Sequence, residues 1–265
     1  MIAAVTGPSG HVGANLVRHL IDEGWTVRAL VHDEEKGIEG LAIERFNGDL
    51  LHRESLDKCF RGADVVFNLA GRISIEGDPG GHVHRTNVEG TKNVVEACLA
   101  CKVKKLVHFS SIHAFNPIPL DEEVDESRSE DDRPTTAHYN RSKAEGEHEV
   151  RKGIDKGLNA VILNPASIIG PYDFAPSLMG ETFLKLYHGE LTALSAGGFD
   201  FVDVRDVCQA AIAAVDHGKK GENYLISGQW LSVKELAQKV KKVKGVKAPR
   251  IALPFSFLYS ILPFV

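Results

Sequence analysis

The chain has 265 residues, 43% of them apolar and 25% charged, with a net charge of −5 and a pI near 6.2. It is long enough to bury a substantial core, too acidic to carry a basic footprint for nucleic acid, and without an apolar run near the roughly 18 residues of an integral membrane span. Four cysteines do not make a disulfide framework at this length, and the N-terminus opens straight into an apolar run, so a cytoplasmic protein is expected.

Ile2-Ala3-Ala4-Val5 reads as a short strand buried on both faces. Thr6-Gly7-Pro8-Ser9-Gly10-His11-Val12-Gly13 follows at once. Val12, Leu16, Val17, Leu20 and Ile21 then recur with a helical period, which Gly24 stops. Strand, glycine-rich turn and helix form the setting in which a backbone cradles a pyrophosphate at a helix N-terminus. Residues 25–31 read as the second strand, whose end lies beside the adenosine ribose in such a fold. Asp33 there suits the 2′-hydroxyl of NAD or a plain turn cap, whereas Arg28, His32 and Lys36 suit the 2′-phosphate of NADP. The cations tip the expectation toward NADP.

Residues 41–46 read as a third strand leading to Asn47-Gly48-Asp49-Leu50, and residues 53–60 as a helix. A fourth strand at 64–71 ends in Leu69-Ala70-Gly71, small enough for close approach by a ligand. A helix at 84–100 and a fifth strand at 105–110 come next. This alternation predicts a doubly wound parallel α/β sheet of Rossmann type with right-handed crossovers. Ligands of such sheets collect at the carboxyl ends of strands, where Gly7, Ala70 and Ser111 fall.

Tyr139-Asn140-Arg141-Ser142-Lys143 places a phenol and an ammonium four apart, one above the other on a helix face. A nearby cation lowers the pKa of a phenol toward neutrality, where it can donate and accept the proton of a carbonyl reduction. Chance recurrence on a helix is the plain alternative.

These motifs, with Asn68, Asn87-Val88-Glu89-Gly90-Thr91, His108-Phe109-Ser110-Ser111, Asn164-Pro165-Ala166-Ser167-Ile168 and Phe201-Val202-Asp203-Val204-Arg205-Asp206, stand in the order of the extended short-chain dehydrogenase/reductases. The chain resembles that family from residue 2 to about 240. Gly170, Pro171, Asp173, Pro176, Ser177, Gly197 and Gly198 resemble the branch holding dihydroflavonol 4-reductase, 3β-hydroxysteroid dehydrogenases and hopanoid-associated sugar epimerase-like proteins. The resemblance implies Tyr139 as general acid/base, Lys143 as its partner on the nicotinamide ribose, and Ser111, rather than Ser110, orienting the substrate oxygen. It implies a dinucleotide site of Thr6, Gly7, Ser9, Gly10, His11, Val12, Gly13, His32, Asp33, Asp49, Leu50, Leu69, Ala70, Gly71, Asn87, Tyr139, Lys143, Asn164, Pro165, Ala166 and Ile168. His32, Gly71 and Phe115 depart from common Arg, Ala and Tyr; only the first touches cofactor choice.

The expected organisation is a dinucleotide-binding domain at 1–170, with 201–216 returning to it, and a smaller lobe from 171–200 and 217–265. Phe174, Met179, Phe183, Leu184 and Tyr187 suit an apolar substrate wall or the lobe's core. Cys98-Leu99-Ala100-Cys101 has no second pair and reads as packing. His82 and His84 read as surface residues without a third ligand, so no metal is expected. Residues 121–132 hold eight acids and one arginine, a solvated loop unless they rim the entrance to Tyr139. The apolar stretch 251–265 is short of family length and looks cut, or naturally short, inside a helix that packs on the lobe, with a membrane surface or a dimer contact as alternatives. The function expected is NAD(P)-dependent hydride transfer between nicotinamide and a small-molecule carbonyl or alcohol, with a homodimer implied by the family. A sugar-nucleotide epimerase that retains NAD is the alternative, although residues 172–200 contain only Lys185 as a Lys or Arg for a diphosphate. A silent dinucleotide sensor is third, because such relatives lose the Tyr or the Lys.

Overall fold

A strand covered by helices on both faces needs apolar residues without alternation, and three segments of the chain are buried at every position: Val65–Asn68, Lys105–Phe109 and Ala160–Pro165. In the computed structural model, which describes residues 1–253 except 34, 76, 132, 134, 135, 246–248 and 250, they form the middle of the largest sheet. In chain order the elements are β1 (Ile2–Thr6), α1 (His11–Asp22), β2 (Thr26–Val31), β3 (Glu44–Asn47), α2 (Arg53–Phe60), β4 (Val65–Asn68) and α3 (His82–His84). A π-helical turn (Arg85–Glu89) joins α3 to α4 (Gly90–Ala100). Then come β5 (Lys105–Phe109), α5 (His138–Asp155), β6 (Ala160–Pro165), β7 (Ser167–Ile169), α6 (Leu178–His188), β8 (Ala193–Ser195) and β9 (Gly198–Asp203). The chain continues through α7 (Val204–His217), β10 (Asn223–Ile226), β11 (Gln229–Ser232), α8 (Val233–Lys244) and β12 (Ile251–Leu253).

Seven strands pair in the order β3-β2-β1-β4-β5-β6-β10, every pair parallel. The order reverses between β1 and β4, so their carboxyl ends open the crevice where ligands of doubly wound sheets bind. One face is closed by apolar residues of α1 and α7, the other by those of α2, α4 and α5. The lobe has its own core around Leu186, Leu194, Phe201, Val233 and Leu236, a three-stranded sheet β11-β9-β7 and the pair β12-β8.

Several boundaries differ from expectation. The fourth strand, expected at 64–71, runs from Val65 to Asn68, and Leu69-Ala70-Gly71 follow it as a loop. The third strand starts at Glu44 rather than at residue 41, because Leu41 and Ile43 are drawn instead against the core beside α1. The helix expected at 84–100 begins at His82 and carries the π turn. The segment placed wholly in the lobe from 217 onward contains β10, which aligns Asn223 with Ile162 and Ile226 with Pro165 at the edge of the large sheet. It is four residues long and opens on a polar residue, so no periodicity marks it. Most of the apolar tail, residues 254–265, lies outside the described residues.

Candidate active site

α5 begins at His138, directly before the residues of interest, and its buried face carries Ser142, Lys143, Gly146, Glu147 and Val150. Gly146 sets how near this helix comes: a Cβ there would lie 2.8 Å from the Asn87 carbonyl oxygen of the π turn. Asn87 fixes the neighbourhood further. It accepts from the Arg72 N–H at 2.7 Å and donates to the Arg72 carbonyl at 2.9 Å and to Ser142 Oγ at 2.9 Å. Ser142 Oγ in turn donates to the Tyr139 carbonyl at 2.7 Å. Tyr139 is therefore held by its own backbone to the loop that follows β4.

The Ser111 hydroxyl is the polar side chain that acts on the Tyr139 phenol, drawing its pKa down. Ser111 follows β5, is 7% exposed, and its Oγ accepts from the His113 N–H at 3.2 Å. Ser110 does not act on the phenol, so of the two serines the structure brings Ser111 to Tyr139. Lys143 Nζ donates to the Phe109 carbonyl at 3.1 Å. It also approaches Gly71, where a Cβ would stand 3.3 Å from Nζ and 3.4 Å from Asn87 Oδ1. An alanine there would require the Lys143 side chain to give by only a few tenths of an ångström.

The electrostatics depart from the sequence expectation. Burial raises the Tyr139 phenol above its ordinary value, and the Ser111 hydroxyl pulls it back; the protein's own groups do not bring it toward neutrality. Burial pushes Lys143 down to about 8, with the Glu147 carboxylate working against it. Burial, helped by the Lys143 charge, holds His108 down at about 3. This neutral imidazole receives Asn68 Nδ2 at Nδ1, 3.0 Å away, and Asn68 Oδ1 accepts from Thr6 Oγ1 at 2.7 Å. Thr6 Oγ1 also takes the Ala70 N–H at 3.2 Å, tying the ends of β1, β4 and β5 together.

The glycine-rich turn has two kinds of glycine. Gly7 has φ +64° and a Cβ on it would meet Ala70 N at 2.8 Å; a Cβ on Gly13 would meet the Gly7 carbonyl oxygen at 2.1 Å. Those two are demanded by the fold. Gly10 has an extended conformation at φ −69° and its Cβ would come no closer than 3.6 Å to its neighbours. What its missing side chain keeps open is space over the N-terminus of α1, whose first turn has no side-chain cap and no acid. His11 Nε2 is buried there without a partner. Unclaimed helix N–H groups, an unneeded glycine and an orphaned imidazole nitrogen fit the phosphates of a dinucleotide. Ser9 contributes packing, its carbonyl oxygen lying 2.5 Å from where a Cβ of Gly37 would be, and Val12 and Leu69 lean on the adjoining core.

At the end of β2, His32 sits between two carboxylates, 2.7 Å from Asp33 and 3.5 Å from Asp49. Asp49 also accepts from the Leu51 N–H at 2.9 Å. Arg28, expected as a phosphate ligand, is taken by Glu44 at 3.0 Å and by the Arg61 carbonyl at 2.7 Å. Leu50 is buried, and it stands 3.0 Å from where a Cβ of Gly90 would be.

On the far side, Pro165 ends β6 beside Ile226, Ala166 N donates to the Ile226 carbonyl at 3.0 Å, and Ile168 aligns with Val202. Asn164 is fully buried, and both ends of its amide serve protein groups behind the crevice. The apolar wall divides: Met179 and Phe183 join the lobe's core, Leu184 and Tyr187 are exposed, and Phe174 stacks on Tyr172 near Arg18 of α1.

Sequence reasoning passed over His113, whose ring meets Tyr139 edge-on at 6.1 Å, and Glu147 and Asn223. The repeat Tyr139, Lys143, Glu147, each four apart, was the available signal for Glu147. Cys98 is buried and Cys101 half-buried, and burial raises both thiols. His84 faces Glu89 and Glu145, and the described residues contain no cluster fit for a metal. The acidic segment is tied down: Glu126 takes the Leu225 N–H at 2.9 Å, Glu130 meets His148 and Arg151, and Asp131 holds Arg133 and Thr136.

Comparison with known proteins places these features. The model of the NAD dependent epimerase/dehydratase family matches residues 3–227. "Sterol demethylase protein B" of Methylococcus capsulatus is 36% identical over 98% of this chain and 80% of its own. The "4-hydroxy-2-methyl-3-oxo-4-farnesyl-3,4-dihydroquinoline-1-oxide ketoreductase" of Stigmatella aurantiaca is 31% identical over 95% and 75%. Among solved structures, that of gox2253 superposes with a TM-score of 0.91 at 30% identity, covering 99% of this chain and 81% of its own.

Proposed function

Because the chain belongs to the NAD dependent epimerase/dehydratase family of extended short-chain enzymes, we propose that it is an NAD(P)-dependent reductase, or the reverse dehydrogenase, of an apolar ketone or secondary alcohol. The observation that carries this reading is the grouping of Tyr139, Ser111 and Lys143 at the carboxyl end of β5: the Ser111 hydroxyl acts on the phenol, and Lys143, one helical turn on, is tied to the Phe109 carbonyl. When bound, the dinucleotide supplies or accepts the hydride. Gly7, Gly10, His11 and Gly13 would hold its phosphates, and Lys143 its nicotinamide ribose. Ser111 orients the substrate oxygen by hydrogen bonding. Tyr139 gives that oxygen a proton in reduction and removes it in oxidation. A phenol raised by burial keeps its proton at neutral pH and is ready to act as the acid, and the Ser111 hydroxyl favours the phenolate left behind.

The relatives named for a sterol and for a farnesyl-bearing ketone support an apolar substrate. So does the single Lys or Arg, Lys185, in residues 172–200, where a nucleotide sugar would need cations for its diphosphate. The acids around His32 suit the ribose 2′-hydroxyl of NAD better than a 2′-phosphate, against the NADP expected from sequence.

Replacing Tyr139 by Phe is expected to leave dinucleotide affinity within about twofold while lowering kcat by about 10²–10⁴. Turnover at the wild-type rate would overturn the assignment. Mass analysis of nucleotide released from the purified protein separates the two activities: tightly held NAD would favour the epimerase, and an empty protein that takes up added NADH or NADPH the reductase.

A further inference from the structure

Behind the crevice lies a closed polar ring with no role in the mechanism above. Glu147, two helical turns after Tyr139 and fully buried, accepts at Oε1 from Asn164 Nδ2 at 2.7 Å and at Oε2 from Asn223 Nδ2 at 2.8 Å. Asn223 Nδ2 also donates to Asn164 Oδ1 at 2.9 Å, and Asn164 Nδ2 also donates to the Ser111 carbonyl at 3.0 Å. The Arg151 guanidinium stands 3.9 Å from Glu147 and 2.7 Å from Asn223 Oδ1. Both carboxylate oxygens thus face N–H donors, the arrangement that favours the ionised form.

We propose that Glu147 is a positioning residue with two targets: through Asn164 it fixes the backbone of Ser111, and through its charge it keeps Lys143 an ammonium. The proposal rests on the reading of Ser111, Tyr139 and Lys143 given above. Burying a carboxylate costs stability and is seldom done without a partner; Arg151, one turn on, stands 3.9 Å away but reaches solvent, and Lys143, one turn back on α5, is the buried cation of the same helix. The groups around the pair are few. His108 faces Lys143 from β5 and is neutral; Tyr139 lies one turn before it. Glu147 has Asn164 of β6, Asn223 of β10 and Arg151 of its own helix, with Glu130 of the acidic segment beyond. Burial raises the Glu147 carboxyl, with Glu130 adding to it, and the Ser110 hydroxyl at the end of β5 and the amides of Asn223 and Asn164 draw it back.

The test compares Glu147→Gln, which keeps shape and loses charge, with Glu147→Asp, which keeps charge and loses shape. Two readouts are needed. One is dinucleotide affinity against pH by nicotinamide fluorescence, which requires no substrate. Wild type is expected to weaken as Lys143 loses its proton on the alkaline side, and the Gln variant to weaken about one pH unit earlier, with Asp close to wild type. The other is thermal stability without dinucleotide. Lys143 has a folded pKa below its unfolded value, so its burial penalty is full at neutral pH and relieved as pH rises through that folded value. The stability deficit of the Gln variant should therefore shrink between about pH 7 and 10. A Gln variant with the wild-type alkaline limb, a deficit flat in pH, or an Asp variant displaced further than Gln would each overturn the proposal. If Gln does not fold, an Asp limb at the wild-type pH supports it and one displaced by a unit overturns it. Failure of wild type to bind either dinucleotide would instead overturn the functional reading.

Discussion

At residue scale, the site is decided by what each side chain already touches. Tyr139 and Lys143 were legible from their spacing, which a helix turns into adjacency. Their electrostatic relation was not, because spacing says nothing of burial or of the carbonyl that draws Lys143 toward β5. The ribose end shows the same limit. A sequence shows His32, Asp33, Arg28 and Lys36 close together along the chain, whereas Asp49 arrives from the next strand and Glu44 removes Arg28. Asp33→Asn should consequently raise NADPH affinity relative to NADH by about threefold, a modest change because the group is exposed. Paired dissociation constants at fixed salt measure it, and an unchanged ratio would place the ribose elsewhere.

At the scale of elements, the turn between β1 and α1 makes a sharper distinction than its glycine count. Gly13→Ala would drive a Cβ into the Gly7 carbonyl, and overpacking of that kind costs about 1–3 kcal/mol. Gly10→Ala meets no such obstacle, so its stability should stay within about 1 kcal/mol of wild type. Dinucleotide binding should nevertheless fall at least roughly tenfold, since the methyl group enters the space over the helix N-terminus where the pyrophosphate would rest. Melting curves and binding titrations on the same two proteins check both halves, and a Gly10→Ala protein that binds normally would refute the cradle. The strand–turn–helix was readable in advance because apolar run, glycines and helical period are all local. The π turn at Arg85–Glu89 and the edge strand Asn223–Ile226 were not, since both are set by a partner distant in sequence: α5 for one, β6 for the other.

For the whole molecule, the acidic segment is held by an attachment that depends on pH. Hydrogen bonds from Arg133, with Thr136 adding to them, hold the Asp131 carboxyl down at about 2. A carboxyl depressed on folding gives stability that is complete above its unfolded value near 4 and lost as pH falls through about 2. Pepsin cleavage within residues 116–131 should therefore accelerate between pH 4 and 2 ahead of cleavage elsewhere, and Asp131→Asn should show the faster rate already at pH 4. Uniform cleavage along the chain would mean that the segment does not detach on its own. A second consequence concerns dissection. The chain leaves the large sheet after β6, returns to it as α7 and β10, directly alongside β6, and leaves again for the lobe as β11, α8 and β12. A fragment ending at residue 170 would expose the flank of β6 and deprive Glu147 of the amide of Asn223. The two units are thus not modules that can be swapped between relatives at a single junction. A functional chimera has to exchange two stretches together, the one between β6 and α7 and the one after β10, with three cuts.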